Sequence, residues 1–217
     1  MVKRSVPRWS TFAPLLQRRG AANGAQRSLL QRRLDAAADL SDLRRMALRR
    51  TPRAVFDYVD GAANDEIALR RNVEAFRRVE FRPKVLRDVE QVSMSTTILG
   101  KKSALPFAFA PTGFTRMMHT AGECAVARVA ARAGIPYALS TVGTTTIEDF
   151  ADASGDGRRW FQLYVVKDRE RSRDMLQRAR QNGFDALILT VDVPVGGARL
   201  RDVRSGLSVP PSLTWRT

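Results

Sequence analysis

The feature that most constrains this chain is a recurring unit in which a short apolar strand runs straight into polar residues. Residues 107–110 lead into Pro111-Thr112-Gly113, 137–139 into Ser140-Thr141, 160–163 into Tyr164, and 186–189 into Thr190 and Asp192. The first three are each followed by a helical pattern, and the strands recur roughly every 25 to 30 residues, the spacing of βα units in a parallel sheet. The run at 186–189 is continuously apolar, which predicts a strand covered on both faces. Pro194, Gly196 and Gly197 then stop regular structure, and Arg199, Arg201 and Arg204 follow in a loop whose backbone can approach an anion closely. Polar groups therefore collect at the C-terminal ends of four strands, and a functional site is expected there.

Four strands do not close a barrel. An eight-stranded (β/α) barrel takes about 250 residues, and about 110 remain here from the first strand onward. The expected architecture is α/β: an N-terminal helical segment plus the first four βα strands of a (β/α)8 TIM barrel, with 213–217 entering a connection to a fifth strand. Three parts are expected: a basic, disordered extension over 1–40, a helical and connecting segment over 41–104, and the first half of the barrel over 105–217.

Caps punctuate the middle part. Ser41 is expected to cap a helix over 42–50, Thr51 a second helix with Pro52 at its first position that stops at Gly61, and Asn64 a third that runs to about Phe76. Leu99-Gly100-Lys101-Lys102 reads as a hairpin-type turn. Further helices are expected over 122–133, closed by Gly134, over 147–153, and over 169–182, ended by Gly183.

The charge is unevenly placed. There are 37 Lys and Arg against 22 Asp and Glu, a net of +15, and residues 1–53 hold 13 basic and 3 acidic residues. A basic arm suits nucleic acid, anionic lipid or an acidic partner. The segment carries no zinc-ligand spacing, aromatic ribonucleoprotein pattern or sustained heptads, so a solvated or membrane-facing surface is preferred to nucleic-acid binding. Residues 1–34 hold eight basic residues and no acid, as mitochondrial transit peptides do. A bacterial extension is favoured, because the chain is rich in Arg and Ala elsewhere too. No apolar run is long enough to span a bilayer. Cys124 is the only cysteine, which excludes an intrachain disulfide; its apolar spacing predicts the buried side of a helix and a reducing compartment. No metal site is expected.

Several separate stretches carry a family resemblance in the same order: Thr51-Pro52-Arg53-Ala54-Val55-Phe56-Asp57-Tyr58, Phe81-Arg82-Pro83, Ala110-Pro111-Thr112-Gly113-Phe114-Thr115-Arg116, Leu139-Ser140-Thr141, Trp160-Phe161-Gln162-Leu163-Tyr164, and Leu189-Thr190-Val191-Asp192-Val193-Pro194 through Arg199. From about residue 40 onward the chain resembles the N-terminal half of the FMN-dependent L-2-hydroxy acid dehydrogenase and oxidase family, most closely its bacterial quinone-linked L-lactate dehydrogenase branch. The resemblance implies FMN as cofactor and oxidation of a small L-2-hydroxy acid, L-lactate to pyruvate in the first instance. It also implies quinone or oxygen as electron acceptor, a homo-oligomer, and a cytoplasmic enzyme with peripheral contact at the inner face of the membrane.

Position by position, the resemblance makes Pro111, Thr112, Gly113, Ser140, Gln162 and Thr190 cofactor-binding residues. It makes Tyr58, Tyr164 and Arg199 substrate-side residues, with Tyr164 also catalytic. Gly113 stands where many relatives have alanine. Hydrogen bonds at the polar edge of a flavin position the ring and tune its electronics. An arginine offers a planar fork to a carboxylate, and a tyrosine hydroxyl bonds the carboxylate or the reacting hydroxyl.

The family's histidine base, a second arginine, a flavin-contacting lysine and the phosphate-binding loops belong to later strands. The only histidine, His119, lies just before a helix in a different motif and is read as a helix-entry residue, because a base must reach the reacting proton. The 217 residues alone are therefore expected to bind FMN poorly and to turn over little lactate. The alternatives are an inactive fragment, one half of a split enzyme, or, lower in order, a basic nucleic-acid-binding protein.

Overall fold

A computed structural model of the chain describes residues 29–192 and 195–207. The readings for the extension before residue 29, for Pro194 and for 208–217 lie outside the described residues. The chain divides into two units, 1–49 and 50–217. In the first, α1 spans Leu29–Asp35, and α2, Leu40–Arg50, runs to the boundary. The α2 cap is Asp39 and not Ser41: the Asp39 carboxylate accepts from the Asp42 amide (3.0 Å), while Asp42 accepts from the Ala38 amide (2.8 Å). This reciprocal arrangement satisfies two amides that have no partner inside the helix.

The second unit opens with α3, Arg53–Asp60, and α4, Ile67–Arg77. Thr51 caps nothing; the helix starts one residue later than expected, from Pro52, whose carbonyl accepts from Phe56 (2.9 Å). Asn64 does not open α4, because both Asn64 and Glu66 take positive φ, 50° and 57°, and delay the helix to Ile67. Strands β1, Thr96–Ile98, and β2, Lys101–Ser103, form the expected hairpin. Its two turn residues, Leu99 and Gly100, have φ of 48° and 73°, the requirement of a two-residue turn matching strand twist.

The parallel sheet follows. It contains β3 (Tyr137–Ser140), β4 (Arg159–Leu163) and β5 (Ala186–Leu189), with Leu139 opposite Phe161 and Phe161 opposite Leu187. The stretch at 107–110, expected as a full strand, is reduced to one parallel bridge, Phe109 to Tyr137. Prolines at 106 and 111 bracket it and cannot donate to a ladder. Its side of β3 is held by Phe109 N–H to Pro136 O (2.9 Å) and Ala138 N–H to Phe109 O (3.1 Å).

Between strands run α5 (Thr115–Met118), α6 (Gly122–Ala133), α7 (Ile147–Ser154) and α8 (Arg169–Gln181); α9 (Leu200–Ser205) comes last. Gly134 ends α6 at φ 67°, and Ile135 N–H reaches back to Ala130 O (3.1 Å), a left-handed closure that suits glycine. The core lies between the sheet and α6, α7 and α8: Leu139, Phe161 and Leu163 pack against Ala127, Ala130, Ile147, Phe150 and Ala179. Strand β5 is not covered on both faces as expected. Leu187 and Leu189 are each 51% exposed, because the face they share with Phe161 and Leu163 carries no helix beyond α8 among the described residues. Cys124 is half-buried, with its Sγ beside the Thr145 hydroxyl (3.4 Å). No described helix is long and apolar enough to cross a membrane.

Candidate active site at the C-terminal strand ends

Where β3, β4 and β5 end, one side chain joins all three. Gln162 Oε1 accepts from the Ser140 hydroxyl (3.1 Å) and from the Thr141 amide (3.1 Å), and its Nε2 donates to Thr190 Oγ1 (2.8 Å). A backbone amide can only donate, so Thr141 dictates which way the Gln162 amide faces. Gln162 is 2% exposed and Ser140 5%, so the row is fixed by burial as well as by hydrogen bonds, while Thr190 is half-buried at its open end.

Thr141, which had no assigned role from sequence, is the second organiser. Its hydroxyl donates to Gln162 O (2.6 Å) and accepts from the Tyr164 amide (2.9 Å), tying the turns after β3 and β4 together. Its position beside Ser140 was the available signal. Tyr164 is thus anchored through its backbone, and the residue as a whole is 39% exposed.

The 111–113 turn is attached to the same rim. Phe114 N–H donates to Val142 O (3.0 Å), and a Cβ on Gly113 would lie 2.5 Å from Val142 Cγ2. A side chain at 113 would therefore require the side chain of the exposed residue Val142 to shift. Beneath the rim, Glu123 is fully buried and accepts from the Thr144 amide (2.7 Å) and hydroxyl (2.7 Å). Burial pushes its carboxyl up, but these hydrogen bonds outweigh that and hold it below the ordinary range.

A second cluster forms around Tyr58 on α3. The Arg199 guanidinium stacks 4.9 Å over the Tyr58 ring, donates through Nη2 to the Tyr58 carbonyl, and pairs through Nε with Asp202 (2.5 Å). Tyr58 meets Phe114, the residue after the 111–113 turn, edge to face at 6.5 Å. The structure thus links Arg199, Tyr58, Phe114, Val142 and the Ser140–Gln162–Thr190 row by successive contacts, and Tyr164 joins through its main-chain amide. His119 accepts from the Ala121 amide through Nδ1 (3.1 Å) at the entry to α6.

The row of hydroxyls and one amide both donates and accepts without a net charge. That matches the mixed donor and acceptor edge of an isoalloxazine ring, so the residues present fit a flavin.

A parallel sheet with polar groups at the C-terminal ends of its strands is the arrangement of (β/α) barrels, which carry their sites on that face. The chain belongs to the FMN-dependent dehydrogenase family, whose sequence model matches residues 47–217. A Mycobacterium tuberculosis protein provisionally named an L-lactate dehydrogenase is 55% identical over 100% of this chain and 51% of its own length. A 4-hydroxymandelate oxidase of Amycolatopsis orientalis is 42% identical over 81% of this chain and 48% of that protein. Among solved structures, mandelate oxidase superimposes with a TM-score of 0.75 at 41% identity, over 79% of this chain and 50% of that one. An active mutant of (S)-mandelate dehydrogenase gives 0.76 at 40% identity, over 82% of this chain and 50% of that one. The chain spans about half the length of the curated relatives it matches. Its fold is the corresponding portion of that barrel.

Proposed function

We propose that this chain supplies the N-terminal helices and first strands of an FMN-dependent enzyme that oxidises an L-2-hydroxy acid, L-lactate first, to the 2-oxo acid. The observation that carries the reading is the hydrogen-bonded row Ser140–Gln162–Thr190 across three adjacent strand ends. FMN, when bound, accepts the two electrons that leave the substrate carbon. The chain's own groups hold and orient. Pro111, Thr112 and Gly113 offer main-chain contact to the ring, and Ser140, Gln162 and Thr190 fix its polar edge.

Among the described residues Arg199 engages Asp202 through Nε and the Tyr58 carbonyl through Nη2, and its Nη1 is the group that meets the substrate carboxylate, with the Tyr58 hydroxyl as second partner. The Tyr164 side chain orients the reacting oxygen. Lactate is placed first because the most similar relatives quoted above include a lactate enzyme, and the mandelate enzymes make a larger 2-hydroxy acid the second choice. Quinone or oxygen as acceptor, a homo-oligomer, and a cytoplasmic site with peripheral contact at the inner membrane face complete the proposal.

The test is to express the 217-residue chain alone and together with the C-terminal half of the Mycobacterium tuberculosis relative, add FMN, desalt, and add L-lactate without oxygen. The combined protein is expected to retain flavin and to bleach with L-lactate but not D-lactate. Retained flavin that bleaches with neither lactate nor mandelate contradicts the reading.

A further inference from the structure

The sequence singled out Arg201 without giving it a role. In the structure it sits in a carboxylate box on the α3 side: Nη1 pairs with Asp60 (2.9 Å), Nη2 with Glu66 (2.5 Å), and Asp57 Oδ1 lies 3.9 Å from Nη1. Three further contacts run between the same two segments. Asn64 N–H donates to Ala198 O (2.7 Å). A Cβ on Gly197 would stand 2.7 Å from Ala63 Cβ, and one on Gly61 would stand 3.0 Å from Arg201 Cδ, so both glycines permit close approach. The receiving loop is shaped by Asn64 and Glu66 at positive φ, a conformation non-glycine residues hold only when their surroundings compel it.

The two segments joined here carry one substrate-side residue each: Tyr58 lies on α3, and Arg199 stands just before α9. We infer that Arg201 is a positioning residue, which clamps the 197–205 segment to Asp60 and Glu66 and so keeps Arg199 stacked on Tyr58. Hydrogen bonding from Arg201 holds the Glu66 carboxyl below its ordinary range, the direction expected of a carboxylate paired with a guanidinium. Arg204, exposed on the same short helix, makes no such contact among the described residues. The consequence for substrate binding rests on the function proposed above; the clamp does not.

The test compares Arg201→Gln, Arg201→Lys and, as control, Arg204→Gln. In the first arm, backbone hydrogen exchange is followed in the 217-residue chain without flavin. Arg201→Gln is expected to speed exchange at Asn64 and across 199–207 by about tenfold or more while β3, β4 and β5 keep their protection. Arg201→Lys should recover part of this, and Arg204→Gln should change nothing. Unaltered exchange at Asn64 in Arg201→Gln overturns the clamp.

In the second arm, on the flavin-loaded combined protein, Arg201→Gln is expected to raise KM for L-lactate about tenfold with kcat and flavin content within about twofold. Loosened exchange with an unchanged KM overturns the positioning role. A wild-type protein that binds flavin but does not oxidise any 2-hydroxy acid contradicts the proposed function, and the first arm then decides the clamp by itself.

Discussion

At the N-terminal end of the parallel sheet Asp185 sits between Lys101 (2.9 Å) and Arg158 (3.2 Å), whereas at the C-terminal end of the same strands Gln162 sits between Ser140 and Thr190 with no charge in the row. Burial pushes the Asp185 carboxyl up, but Lys101 and Arg158 outweigh it and keep it below the ordinary range. Arg158 also donates to the carbonyl of Ile98 (3.0 Å), so the β1–β2 hairpin is fastened to that end. Here the charges answer one another and leave little for a ligand. At the other end, hydroxyls and an amide keep capacity to donate or accept, and Thr190 opens to solvent. The contrast follows the division of labour in barrels of this kind, with stability at the N-terminal face and chemistry at the C-terminal face.

The largest expected effect lies at the charged end. Asp185→Ala removes the carboxylate partner of a guanidinium that is 15% exposed, leaving it only the Ile98 and Lys101 carbonyls as acceptors among the described residues, and should cost about 2–3 kcal/mol in a denaturant melt, with flavin retention by the folded combined protein unchanged. Gln162→Leu removes the acceptor of the Ser140 hydroxyl and the Thr141 amide. It should cost about 1–2 kcal/mol of stability and lower flavin affinity by about tenfold or more, the equivalent of losing one well-placed hydrogen bond. If the two substitutions exchanged these effects, the contrast between the ends would be broken.

Two smaller effects sharpen it by locating stability away from the site. Burial pushes the Tyr137 phenol from 10.0 up to about 12. The raised value means the neutral phenol's contribution is complete below about 10 and is lost as pH rises toward 12. Tyr137→Phe should flatten the alkaline limb of a stability profile measured across that window. Smallest is Glu148, drawn from 4.5 to about 2 by the Arg178 guanidinium that joins α7 to α8. A lowered carboxyl contributes above 4.5 and loses that contribution as pH falls toward 2. Both partners are substantially exposed, so Glu148→Gln should cost no more than about 0.5 kcal/mol at neutral pH.

Much of this was legible from sequence, because strand length, apolar continuity and glycine closures are local signals. The helix over 122–133 and the strands read over 137–139 and 186–189 form where their patterns imply. What escaped depended on contacts distant in the chain. Prolines 106 and 111 announced trouble for a strand at 107–110, but only the register shows that one bridge survives. The Asp39 cap displaced Ser41 because both residue types suit the position, and helix register decides between them. Burial of β5 was overread: a continuous apolar run signals what a strand requires and does not supply the covering helix. In the site, residue types at strand ends pointed to Ser140 and Thr190 and the family resemblance to Gln162, yet the bridging of Thr141 spans 21 residues to Gln162 and that of Arg201 spans 141 to Asp60. No pattern in a single sequence reports such pairings.

The most direct test of the central claim is a titration of the isotope-labelled 217-residue chain with FMN, following backbone and Gln162 side-chain amide resonances, which reports even weak binding. Shifts are expected to concentrate at 111–113, Ser140, Thr141, the Gln162 side chain and Thr190, with Lys101, Arg158 and Asp185 unmoved. Shifts centred on the Lys101–Arg158–Asp185 end, or none at the strand ends while flavin is bound, would contradict that claim.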